Sequence, residues 1–230
     1  LLKIKIMIEK LEQMSQVAYS FKETIYHSYE SAISVCESNI EGDLVECGVA
    51  MGSQIGAFQL ALQNKGELDK RKIWAFDSFQ GIPMAGEFDT EQAGIGEITH
   101  DKFAPIEERL ISSGVTAHSL QSVINNFNSW GLPISNVEFV EGWFQHTIEG
   151  ASKNIKAISV LRLDGDLYES TIICLEHLYP LVSKGGIVII DDYALTGCKV
   201  AVEHYFKKIK KSLPTMHSVD NEGVVYFIKK

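Results

Sequence analysis

Basic residues are in deficit: 21 Lys and Arg against 30 Asp and Glu leave the 230-residue chain with a formal net charge of −9. A surface of that sign repels phosphate and no basic cluster offsets it, so a nucleic-acid partner is not expected. Cysteine is scarce too. Cys36, Cys47, Cys174 and Cys198 lie far apart, and no CxxC pair offers zinc a site. Three of them sit in apolar or helical surroundings, where a free cysteine behaves as a small hydrophobe, so a reducing cytoplasm is expected. No apolar run reaches the roughly 18–20 residues that span a bilayer, so no membrane is expected. The amino-terminal stretch Leu1-Leu2-Lys3-Ile4-Lys5-Ile6-Met7-Ile8 is interrupted by lysines and lacks a small-residue cleavage site, which argues against a signal peptide. Repeats and low-complexity segments are absent.

What is present is an ordinary globular composition, 45% hydrophobic and 22% charged, at a length that suits one sizeable domain. Residues 1–40 form a helical preface, with apolar positions at Ile4, Ile8, Leu11, Met14 and Val17, then Phe21, Ile25, Tyr29 and Ile33. Residues 41–230 alternate short apolar runs with helical patterns, the mark of a doubly wound, mostly parallel sheet. Gln80 to Asp101 is polar, glycine-punctuated and without periodicity, so a lid over about 80–104 is expected, or else a disordered segment. Two closing runs around Asp220-Asn221-Glu222-Gly223 read as an antiparallel hairpin.

The strands end in acids. Leu44-Val45-Glu46-Cys47-Gly48 runs into a glycine turn and then a helix from Ser53, an arrangement that lets backbone N–H groups approach a ligand. Its glycines at 48, 52 and 56 do not fit GxGxxG, so a nicotinamide cofactor is poorly supported. Lys72 to Phe79 carries Asp77, which is placed either to accept from ribose hydroxyls or to cap a turn. Residues 136–144 end in Glu141-Gly142-Trp143-Phe144. The strongest signal is Leu161-Arg162-Leu163-Asp164-Gly165-Asp166, followed about 25 residues later by Gly186-Ile187-Val188-Ile189-Ile190-Asp191-Asp192. Ligands of parallel sheets bind beyond the carboxyl ends of the strands, so four aspartates at one mouth suggest a divalent cation. Hard oxygen ligands, with no Cys or His cluster in reach, favour Mg²⁺ over zinc or copper.

The order of these landmarks resembles a class I methyltransferase with a Rossmann-like seven-stranded sheet. Gly42 to Val49, Ala75-Phe76-Asp77-Ser78-Phe79-Gln80-Gly81-Ile82-Pro83, Glu141-Gly142-Trp143-Phe144, Leu161 to Thr171 and Ile190-Asp191-Asp192-Tyr193 look like the macrocin O-methyltransferase family, in order, over roughly residues 41–228. The resemblance implies a Mg²⁺-dependent transfer of a methyl group from S-adenosylmethionine to a hydroxyl of a sugar, as a glycoside or nucleotide sugar. It implies donor contacts from Glu46 and Gly48 at the amino acid end, from Ser53, from Asp77 at the ribose, and from Ser78 and Glu141-Gly142-Trp143 near the adenine. Trp143 has a second reading as a core aromatic. Asp164, Asp191 and Asp192 are the implied cation ligands, Asp164 also lying beside the donor, and Asp166 is the implied general base. The reverse assignment of Asp164 and Asp166 stays open, as does a helix-capping role for one of the four acids. Members of the family are often dimers, so a homodimer through the amino-terminal helices is a further expectation.

The chain departs from the family pattern at Ala50-Met51, at His146 and at Glu203-His204, positions that bear on substrate more than on chemistry. Two other functions compete. A catechol-type enzyme acting on an aromatic diol is disfavoured by Asp-Gly-Asp, where such enzymes generally place a lysine base. A non-catalytic donor-binding relative is disfavoured by the intact set of acids.

Overall fold

In the computed structural model, residues 2–92, 97–220 and 223–230 are described. Seven strands form one sheet in the order β3-β2-β1-β4-β5-β7-β6. The first five, β1 (Asp43–Cys47), β2 (Ile73–Asp77), β3 (Val137–Glu141), β4 (Ile158–Leu163) and β5 (Val182–Ile190), pair in parallel. β7 (Val225–Ile228) runs antiparallel to β5, and the short β6 (His217–Ser218) pairs antiparallel with β7. The expected doubly wound sheet with its closing hairpin is therefore observed. Asn221 and Glu222 of the expected hairpin turn lie outside the described residues.

β4 is buried at every position, as a central strand covered on both faces must be. Its neighbours divide the core. Leu44, Ile73, Ala75, Val160 and Ile189 face the layer containing α2 (Lys22–Glu37) and α3 (Ser53–Lys65). Val45, Phe76, Leu161, Leu163, Val188 and Ile190 face the layer of α6 (Phe144–Ser152), α7 (Tyr168–Leu178) and α8 (Thr196–Lys208).

The helical preface is two helices, α1 (Leu2–Ser15) and α2, joined by a break at residues 16–21. α6 begins directly after Trp143, where the sequence suggests a strand continuing to Phe144. Residues 78–105 form turns and irregular backbone wherever they are described, and α4 (Ile106–Arg109) follows. This stretch is packed down: Ile82 and Ala85 form a small apolar cluster with Leu167. Gln92 Oε1 accepts from the Ala85 N–H at 2.6 Å, and Gln92 Nε2 donates to the Pro83 carbonyl at 2.8 Å. The described part of the expected loop thus packs on the start of α7, beyond the carboxyl end of β4, and residues 93–96 lie outside the described residues. His100, in the same loop, has Nε2 2.9 Å from the Ala85 carbonyl.

Candidate active site

The carboxyl ends of β1, β2, β4 and β5 border a cavity of about 240 Å³. Its floor is the turn after β1. Gly48 has φ +97°, and a Cβ there would come within 1.7 Å of the Asp164 carbonyl oxygen, so only glycine lets the two strand ends approach so closely. Ala50, at φ +45°, takes the left-handed conformation more often given to glycine. Asp77 organises this turn from the next strand. Its Oδ2 accepts from the N–H groups of Val49 (2.6 Å) and Ala50 (3.0 Å), and its Oδ1 accepts from Phe79 N–H at 2.6 Å. Asp77 thus caps the turn, and it also lines the cavity.

Of the other positions singled out as donor contacts, Glu46, Gly48, Ser53, Ser78, Trp143 and Asp164 line the cavity. Ser53 Oγ donates to the Met14 carbonyl at 2.9 Å, tying α1 to the start of α3, and Ser78 Oγ donates to the Gly81 carbonyl at 2.9 Å. Glu141 and Gly142 do not line it. Glu141 ends the edge strand β3 facing water, and Gly142, at φ +135°, donates its N–H to the Asp77 carbonyl in the bend that delivers Trp143 to the wall. The linker between α1 and α2 adds Ala18, Tyr19 and Ser20 to the lining, and Gln54 adds a side chain that donates to Ser20 Oγ and Thr24 Oγ1 and accepts from Ser28 Oγ.

At the far end the aspartates meet. Carboxylate oxygens of Asp164, Asp166 and Asp192 lie within 4.8 Å of one another. Asp166 sits at φ +58°, a conformation aspartate tolerates better than most side chains, and donates its N–H to Asp192 Oδ2 at 2.9 Å. Asp191 stands apart from that trio. Its Oδ1 accepts from Arg162 Nη2 at 2.5 Å, while the residue still lines the cavity. Desolvation, then repulsion from Asp164 and Asp191, raises Asp166 to about 8. Desolvation and neighbouring acids hold Asp164 and Asp192 well above the usual carboxylate range. Such a cluster, with a proton to shed, fits a divalent cation: cation charge would offset the repulsion and return the acids to their ionised form.

The family described as Macrocin-O-methyltransferase (TylF) matches residues 16–229. The chain belongs to the macrocin O-methyltransferase family. It is 37% identical over 193 residues to an 8-demethyl-8-(2,3-dimethoxy-alpha-L-rhamnosyl)-tetracenomycin-C 4'-O-methyltransferase of Streptomyces olivaceus, covering 84% of this chain and 68% of that one. A demethyldecarbamoylnovobiocin O-methyltransferase of Streptomyces niveus is 39% identical over the same shares of the two chains. Among solved structures, the O-methyltransferase NovP superposes with a TM-score of 0.77 at 34% identity, covering 93% of this chain and 82% of that one. The calicheamicin methyltransferase CalS11, at 20% identity and a TM-score of 0.63 over 89% of this chain and 77% of that one, shares the fold. The macrocin-family chain is thus an O-methyltransferase.

Two groups of side chains bordering the site escaped the sequence. Arg162 is fully buried in β4 and joins Glu46, Asp164 and Asp191. Its signal was visible, since an arginine inside an apolar strand demands buried partners. The second group clasps the loop. Asp89 Oδ1 accepts the Tyr168 N–H at 3.0 Å, and Arg109 donates to Glu169 at 2.5 Å. Both land on the first turn of α7, two and three residues beyond Asp166. Nothing in the spacing of loop residues marks these contacts.

Proposed function

We propose that this O-methyltransferase moves the methyl group of S-adenosylmethionine to a hydroxyl of a sugar on a glycosylated small molecule, with Mg²⁺ bound at the aspartates. The observation that carries the reading is the meeting of two unlike halves in one cavity: a glycine turn beside Glu46, and the acids Asp164, Asp166 and Asp192. Glu46 is fully buried, and its Oε2 has no hydrogen-bond partner among the described residues. A carboxylate oxygen in that state suits the ammonium end of an amino acid. Trp143 offers an aromatic face for the adenine.

S-adenosylmethionine supplies an electrophilic methyl group on sulfur, and a divalent cation supplies charge that makes a nearby sugar hydroxyl more acidic. The rest falls to the chain. Asp164 and Asp192 would hold the cation, with Asp191, whose Oδ1 accepts from Arg162, as the third expected ligand. Asp166 takes the hydroxyl proton on its carboxylate. A bound cation would keep Asp166 in its ionised form, the state in which it can accept that proton. Ile82 and Pro83 of the packed loop and Tyr19 and Ser20 of the α1–α2 linker wall the cavity, and alignment of the two substrates there contributes most of the acceleration. The names of the similar rhamnosyl-tetracenomycin and novobiocin enzymes support a glycosylated acceptor.

The test is titration calorimetry with S-adenosylmethionine, then turnover on a panel of rhamnosylated and aminocoumarin glycosides before and after EDTA. Donor binding with glycoside turnover that EDTA abolishes and Mg²⁺ restores is expected. Turnover indifferent to EDTA would remove the cation from the mechanism, and turnover confined to catechols would replace the acceptor class.

A further inference from the structure

Arg162 is opposite Glu46 in the β1–β4 register, and its side chain has no exposure to solvent. From there it reaches carboxylates on three strand ends. Nε donates to Glu46 Oε1 at 3.0 Å; Nη2 donates to Asp164 Oδ2 at 2.8 Å and to Asp191 Oδ1 at 2.5 Å. Nη1 has no hydrogen-bond partner among the described residues. A guanidinium is planar, and its donors point in fixed directions. Three acids bound to one such plane cannot rotate independently. Glu46 belongs to the donor end of the cavity and Asp164 and Asp191 to the acidic end, so the plane ties the two ends together.

We propose that Arg162 is a positioning residue that sets Glu46, Asp164 and Asp191 as one unit, so that the methyl donor and the divalent cation bind cooperatively through it. The proposal rests on the donor and cation reading given above. Filling either end draws on one carboxylate of the set, and the guanidinium passes the adjustment to the others. Lysine at this position keeps the charge but offers a single nitrogen, which cannot span donor-side and cation-side partners together.

The experiment uses S-adenosylhomocysteine and Mn²⁺ as probes, each titrated in the absence and presence of the other, by calorimetry and by the electron paramagnetic resonance of free Mn²⁺. In the unaltered enzyme each probe should tighten the other by a common factor, about 5-fold or more, as reciprocal coupling requires. In Arg162→Lys, checked for folding by near-ultraviolet circular dichroism, that factor should fall to about 1 while both probes still bind. Its kcat should drop about 100-fold with little change in the acceptor KM, the pattern of an interaction felt in the transition state. A role limited to holding the fold would lower the melting temperature and leave the coupling factor intact, which would overturn the proposal. If Arg162→Lys does not fold, Arg162→Gln paired with Glu46→Gln removes one buried charge of each sign and should likewise abolish coupling. Independent binding of the two probes to the unaltered enzyme would overturn the proposal without any variant. Failure of the unaltered enzyme to bind one of the probes at all would instead overturn the function reading on which it rests.

Discussion

Asp89 caps a helix that it does not belong to. Its Oδ1 accepts the N–H of Tyr168, the first residue of α7, at 3.0 Å, while its Oδ2 accepts the N–H of Gly86 at 2.7 Å. The residue before α7, Leu167, has no side chain able to cap it, so the loop supplies the missing acceptor. Asp166, the proposed base, lies two residues upstream, so the same contact ties the loop to the backbone that carries it. Asp89→Asn replaces one acceptor oxygen with a donor and loses one of the two bonds, and Asp89→Ala loses both. Loss of a cap costs about 0.5–2 kcal/mol. Faster amide exchange in residues 82–92 and a raised acceptor KM are expected, larger for alanine than for asparagine, with donor affinity unchanged. Unaltered exchange in Asp89→Ala would show that the loop is held by other means.

The close approach at Gly48 gives a second prediction. A methyl group there meets the backbone of Asp164 at 1.7 Å in a conformation, φ +97°, that strains any L side chain. Relief requires β1 and β4 to part at the floor of the cavity. Gly48→Ala should lose donor binding by titration and fall in melting temperature, by several degrees at least for strain of a few kcal/mol. Wild-type donor affinity in that variant would mean that the strand ends separate without consequence.

The sheet was legible in the sequence because its central strands are unbroken apolar runs, and the four aspartates were legible because parallel strands bring their carboxyl ends to one side. The roles within that group were harder to read. Asp191 and Asp192 are neighbours in sequence, yet the first turns to Arg162 and the second to Asp166. That division depends on an arginine whose partners come from three strands, and linear spacing does not report it. Glu141 faces water at the end of an edge strand, and in sequence such an acid looks the same as one at the end of a central strand. α6 was hidden because Trp143-Phe144 continues an aromatic, strand-like pattern across a glycine bend. The break between α1 and α2 carries neither proline nor glycine, and only the fold locates it.

His27 provides a stability test away from the acids. Its ring lies 4.6 Å from that of Tyr226, and its Nδ1 has no hydrogen-bond partner among the described residues. Desolvation, aided by the Arg162 charge, lowers its pKa to about 4 from an ordinary 6.5. The folded state therefore favours neutral imidazole, and the associated stability is present above about pH 6.5 and is lost as pH falls towards 4. Melting temperature should fall more steeply between about pH 6.5 and pH 4 in the unaltered protein than in His27→Gln, each kcal/mol being worth about 2–4 °C at this size. Parallel profiles for the two proteins would show that the imidazole titrates alike folded and unfolded.

Replacing Asp166 separates proton transfer from cation binding as roles for its carboxylate. Its carboxylate lies within 4.8 Å of those of Asp164 and Asp192, so proximity alone permits either a ligand or a base. Asp166→Asn is nearly isosteric, can keep the backbone N–H bond to Asp192, and removes the proton acceptor. As a base it should account for about 10²- to 10⁴-fold in kcat. The variant should therefore bind S-adenosylhomocysteine and Mn²⁺ with affinities close to those of the unaltered enzyme while turnover falls by that factor. A carboxylate that served mainly as a ligand would give the opposite pattern: Mn²⁺ affinity would fall, and excess cation would restore much of the turnover. The two outcomes differ in a binding measurement made without acceptor, so the acceptor's identity does not enter. Rescue of Asp166→Asn by saturating Mg²⁺ would move Asp166 into the cation site and leave proton removal to another group.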